Sequence, residues 1–82
     1  MSTLLNKYYR VDKTATELLN KPCFDETLSI EKRKDSKNRI YCLLIEEYQT
    51  SNYIYKKRVS NEFLEIRIKQ GLFKEKELEN ES

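Results

Sequence analysis

Histidine and tryptophan are absent from this 82-residue chain, glycine and proline occur once each, and cysteine occurs twice. Each scarcity removes a class of chemistry. Without histidine there is no imidazole base, no commonest metal ligand, and no Ser-His or Cys-His nucleophile. A single glycine, Gly71, cannot build a phosphate-cradling loop. Cys23 and Cys42 lack zinc or redox spacing, so reduced thiols packed in a cytosolic protein are expected, with a disulfide between them as the competing reading. The longest apolar run, Ile40 to Ile45, suits a strand and falls far short of the ~18 residues of a membrane span. Residues 1–7 have neither the basic start nor the apolar stretch of a secretory signal, and a cytoplasmic location is expected.

The carboxylates offer no catalytic pair either. Glu46 and Glu47 are adjacent, so on a strand they take opposite faces. Asp25 and Glu26 are expected in a loop before the first strand of a hairpin, as solvated charges. Cys42 lies amid Tyr41, Leu43 and Leu44, where packing is the ordinary role of a thiol. The expectation is a protein that is not an enzyme and uses no metal or cofactor.

What remains is a charge-rich sequence, 38% hydrophobic and 37% charged, whose Leu, Ile, Phe and Tyr recur periodically enough to fold. One domain over residues 1–78, followed by a frayed acidic tail at 79–82, is expected. A chain this short buries roughly 60–65% of its unfolded surface, which allows one thin core and no deep cleft. Lys, Asn, Ile, Tyr and Phe are plentiful, while Gly, Ala and Pro occur once each, a bias expected of an A/T-rich genome.

Periodicity points to an α+β fold: a small antiparallel sheet of three or more strands, an N-terminal helical segment, and a second helix near residues 61–70. Leu4, Tyr8, Val11, Ala15 and Leu18 fit one long helix, but Tyr8-Tyr9-Arg10-Val11 favours a strand, with Asp12 then capping a shorter helix over 13–20. Thr14 and Glu17 are spaced as a capping box. Lys21-Pro22 ends the helix in either case. Thr27–Lys34 and Arg39–Tyr48 read as a hairpin about Asp35-Ser36-Lys37-Asn38.

The second of these strands is apolar on both faces, Ile40, Cys42 and Leu44 against Tyr41, Leu43 and Ile45, so it belongs in the sheet interior with both sides covered. That symmetry leaves the hairpin register open. After a turn at 49–52, Tyr53–Val59 forms a third strand, and Lys56-Lys57-Arg58 suit an edge. Ser60, Glu62, Arg67, Lys69 and Gly71 are placed as the caps and end charges of a helix. The alternation of Leu64, Ile66 and Ile68 supports a competing strand, which would convert the fold into a mostly-β five-stranded meander or small barrel.

Net charge is only +2, from 16 basic and 14 acidic residues, so distribution matters more than total. Two surfaces stand out. Tyr41, Tyr53, Tyr55, Lys57 and Arg58 are the candidate contact residues for a protein partner, since tyrosine and arginine favour interface hot spots. An incompletely covered sheet face would also admit a second copy of the chain. Lys32, Arg33, Lys34, Lys37, Arg39 and Lys56 are the candidates for an alternative, nucleic-acid-binding reading, with tyrosines stacking on bases. The leading expectation is an interaction protein that binds and modulates, as an inhibitor does, one protein partner. A short A/T-rich chain of this kind suits an accessory factor of a phage or other mobile element.

Overall fold

A computed structural model describes residues 2–76 of the chain. In order, these form β1 (Thr3–Val11), α1 (Lys13–Leu19), β2 (Phe24–Lys34), β3 (Ile40–Tyr48), β4 (Tyr53–Val59), α2 (Asn61–Lys69) and β5 (Phe73–Glu75). The strands make one antiparallel sheet in the order β4-β3-β2-β1-β5, which is not closed. Strands β1 to β4 meander, and α2 then carries the chain from the β4 edge to β5 at the opposite edge. The expected α+β fold is therefore the observed one. The barrel alternative falls, because residues 61–69 are helical and the fifth strand comes from 73–75.

The turn at Asp35 settles the register that alternation leaves open. The Asp35 amide donates to the Arg39 carbonyl at 2.9 Å, the Asn38 amide donates to the Asp35 carbonyl at 3.0 Å, and Asn38 takes a left-handed φ of 63°. This is a three-residue loop ending in a left-handed residue. The Asp35 carboxylate accepts from the amides of Lys37 and Arg39, both at 2.9 Å, and the Arg39 amide holds its pKa below the usual carboxylate range. The loop sets Ile30 opposite Leu44 and Lys32 opposite Cys42. Slipping by one residue would exchange the two faces of β3.

The core lies on one side of the sheet, hereafter the helix face. Ile30, Cys42, Leu64 and Phe73 form its buried centre, with Tyr8, Leu28, Leu44, Val59 and Phe63 packed around them. Ser60 starts α2 by accepting from the Phe63 amide at 3.1 Å. Helix α2 then packs against β3 and β5 with Leu64 inward. Gly71, with φ 73°, turns the chain back towards β5. Helix α1 adds no buried residue to the sheet, whose opposite side is hereafter the open face. There Ile45 is 8% exposed, shielded within the sheet's own side chains, while Cys42 is 1% exposed on the helix face. Strand β3 is thus interior and buried towards both faces, although its first residue, Ile40, is exposed.

Several local expectations change. Of the two N-terminal readings, strand then helix is the observed one and the long helix falls, because β1 pairs on both sides, with β2 and β5. Asp12 caps α1 through its carboxylate, which accepts from Ala15 at 3.0 Å, so Thr14 lies within the helix instead of capping it. The helix closes at Leu19, with Asn20 in the left-handed region. Asp25 and Glu26 are in β2, not in a preceding loop, because β1 pairs with β2 as far as Arg10 opposite Asp25 and Val11 opposite Phe24; Arg10 and Lys76 pair with the two carboxylates. Both cysteines are free thiols, Cys42 buried and Cys23 half-buried. The acidic tail expected at 79–82 lies outside the described residues. Among those residues no helix is long and apolar enough to cross a membrane.

Two stability tests follow from this packing. Ile30→Ala should cost about 2–5 kcal/mol in urea unfolding, whereas Ile66→Ala, on the outer side of α2 and 51% exposed, should cost under about 1 kcal/mol. Equal losses would mean that α2 packs by another face. Thr27 and then Arg10 hold the Asp25 carboxyl below its ordinary pKa. Its stabilisation is therefore present above the unfolded value, about 3.9, and disappears as pH falls through the folded value. Asp25→Asn should cost about 0.5–1 kcal/mol at pH 7, with the difference from the parent protein shrinking as pH falls below the ordinary aspartate value of about 3.9.

Candidate functional site at the β3–β4 hairpin tip

Counting outward from the turn at 49–52, Tyr48 faces Tyr53 and Glu46 faces Tyr55. Alternation along both strands puts these four side chains on the helix face, past the part that α2 covers. With Ser51 they line a concavity of about 350 Å³. The Tyr48 and Tyr53 rings lie 6.0 Å apart at 36°. The Tyr48 hydroxyl donates to Glu46 Oε2 at 2.9 Å, and this bond to the carboxylate raises the phenol's pKa. All three tyrosines are exposed, Tyr53 most of all at 56%. Ile54, also exposed, sits on the reverse of the same tip, beside a smaller hollow of about 160 Å³ that Tyr48 and Tyr53 share.

A larger concavity of about 480 Å³ runs between the end of α2 and the β1–β5 pair. Its floor includes Phe73 of the core, and its carboxylate, Glu75, already accepts from Asn6 at 2.8 Å. That arrangement is the seam between helix and sheet. The tip, in contrast, presents aromatic rings and a carboxylate that the core does not use.

The residues singled out for a protein partner divide into two groups. Tyr53, Tyr55 and Lys57 are on the helix face, whereas Tyr41 and Arg58 are on the open face, where the Arg58 guanidinium lies 4.3 Å over the Tyr41 ring. Consecutive residues of an exposed strand cannot form one patch.

The basic residues are dispersed as well. Lys32 and Lys34 share the helix face with Cys42 and Ile40, whereas Arg33 and Lys56 are on the open face. Arg33 is tied to Glu31 at 2.8 Å and to the Ser2 hydroxyl at 2.9 Å, and Arg39 pairs with Asp35 at 3.7 Å. Lys37 lies in the β2–β3 turn and Arg39 closes it. At ~3.3 Å per residue, β3 separates that turn from the tyrosine tip by about 25 Å. The stacking of Tyr48 or Tyr53 on a base held by the basic tip is therefore excluded for a single nucleotide.

Tyr48 belongs with Tyr41, Tyr53 and Tyr55 to the strand tyrosines that the sequence offers for stacking or an interface, whereas Glu46 and Ser51 are not among its binding candidates. The hairpin's symmetry about its four-residue turn was the available signal, since it pairs 46 with 55 and 48 with 53 before any tertiary fact is known.

Open-face chemistry is self-contained. Lys7 and Arg33 both reach Glu31, at 3.5 and 2.8 Å, and Lys7 lies 5.2 Å over the Tyr9 ring. Burial pushes the Cys42 thiol's pKa up, which disfavours a nucleophilic thiolate. Among the described residues no group of three or more His, Cys, Asp or Glu could hold a metal ion. No family model matches the chain, and no curated protein or solved structure matches it either.

Removing the carboxylate tests the geometry of the tip. In Glu46→Gln the Tyr48 phenol should titrate at lower pH than in the parent protein, because the phenolate no longer faces a negative charge. Ring-proton NMR from neutral to alkaline pH reads this directly, and an unchanged midpoint would remove Glu46 from the array.

Proposed function

We propose that this chain is a cytoplasmic, non-enzymatic binding protein that docks its β3–β4 tip on a protein partner and modulates it. The observation that carries the reading is the exposed array of Tyr48, Tyr53 and Tyr55 about a concavity whose one charged lining group is Glu46. Tyrosine supplies large, rigid contact area with few rotamers to freeze and a hydroxyl for orientation, which suits an interface core. A carboxylate at the centre of the array repels phosphate, so the same site disfavours a nucleic acid. The composition and size suit a phage or mobile-element accessory factor that inhibits a host protein.

One observation favours a nucleic-acid reading instead: Lys37 and Arg39 are exposed at the β2–β3 turn, with Lys34 beside them. Against it, Arg33 and Arg39 already have carboxylate partners, and the chain's total charge is nearly balanced.

Affinity capture of the partner from the native host, with variants of both tips, separates the readings. Tyr53→Ala/Tyr55→Ala should weaken partner binding by about tenfold or more, while Lys37→Ala/Arg39→Ala should leave it within about threefold. The reverse pattern, together with DNA or RNA binding that falls steeply with salt, would overturn the protein-partner reading. So would turnover of a substrate by the purified chain.

A further inference from the structure

Four carboxylates among the described residues are half-buried: Asp25, Glu31, Asp35 and Glu46. Three of them have a cation from this chain. Arg10 pairs with Asp25, Lys7 and Arg33 with Glu31, and Arg39 with Asp35. Glu46 is the exception. Its one hydrogen bond is to the Tyr48 hydroxyl, and no lysine or arginine of the described residues pairs with it, although Lys56 and Lys57 lie on the adjoining strand. Partial burial disfavours a carboxylate's charge, and a cation or a set of hydrogen bonds normally compensates. At Glu46 no such cation is in place, and three phenol rings, whose faces carry negative potential, line the same concavity.

We infer that the concavity at Glu46, Tyr48, Tyr53 and Tyr55 receives an arginine side chain of the partner protein. The inference rests on the protein-partner reading above and adds the chemistry of the contact. A guanidinium satisfies both halves of the site: its planar face stacks on a phenol ring, and its donors fork onto the carboxylate. Its weaker hydration makes transfer from water less costly than that of a lysine ammonium. The chain uses this contact internally, with Arg58 over Tyr41 at 4.3 Å and Arg67 over Phe63 at 3.3 Å. An anionic or neutral group would leave Glu46 without a cation. Lys57 flanks the array on the same face, next to Tyr55, so an acidic residue beside the arginine would complete the match in charge.

N-acetyl-arginine N-methylamide and its neutral isostere, N-acetyl-citrulline N-methylamide, provide the test. Each is titrated into the isotopically labelled full chain while the Tyr48, Tyr53 and Tyr55 ring signals and the Glu46 side chain are followed by NMR. The arginine compound should give saturable shifts confined to these four residues, the citrulline compound none, and the lysine analogue weaker ones. Glu46→Gln should weaken the arginine response by about fivefold or more. Equal responses to arginine and citrulline, shifts centred on other carboxylates, or no saturable shift up to about 100 mM would overturn the inference. The two levels fail separately. If the arginine arm fails while Tyr53→Ala/Tyr55→Ala still abolishes partner capture, the tip remains a protein-docking site with another occupant. If those variants keep the partner, the docking reading itself is lost.

Discussion

Strand β3 is apolar towards both sides of the sheet, and only one side has a helix to cover it. That constraint organises the molecule. The turn at 36–38 chooses which set faces α2, and it chooses Cys42 and Leu44, alongside Ile30 and Leu28 of β2. Leu64 of α2 and Phe73 of β5 complete that core from the other end of the chain. With so few fully buried side chains, stability depends heavily on each, because about 1.5–3 kcal/mol accompanies the full burial of one large apolar side chain.

The open face answers the same constraint without a helix. Ile45 is buried there among neighbours in its own sheet, and the surrounding surface is occupied by cations over rings and carboxylates: Lys7 by Tyr9 and Glu31, Arg33 by Glu31, Arg58 over Tyr41. Long basic side chains can cover apolar surface with their stems while their heads stay wet. This self-pairing also weakens the case for that face as a bare docking platform, and it draws Tyr41 and Arg58 into a contact of their own. The β3–β4 tip differs because α2 passes over the sheet before reaching it, and because its carboxylate lacks the cation that comparable carboxylates have.

The ends of β3 have opposite characters as a result. One carries Lys37 and Arg39 about a tight turn, the other three tyrosines about Glu46, with the length of the strand between them. The two ends present different chemistry. The tyrosines of one end are too far from the basic turn at the other to stack on a base whose own phosphate that turn holds.

Local information in the sequence determined much of the framework. Ser60 and Gly71 marked the limits of α2, Asp12 marked the start of α1, and the two turns followed from Asp, Asn and Ser clusters, because these residues satisfy backbone groups or tolerate left-handed φ within a few positions of themselves. The interior position of Arg39–Tyr48 was also legible, since apolar residues on both faces of a strand exclude an edge. Tertiary structure decided between the helix and the strand that residues 4–11 both allow, and it alone decided that Asp25 and Glu26 belong to β2 and that Tyr41 and Arg58 stand apart from Tyr53 and Tyr55. Each of those outcomes depends on which strands lie side by side and where α2 crosses. Pairing and burial arise between residues distant in the chain, and short-range preference by itself does not decide them.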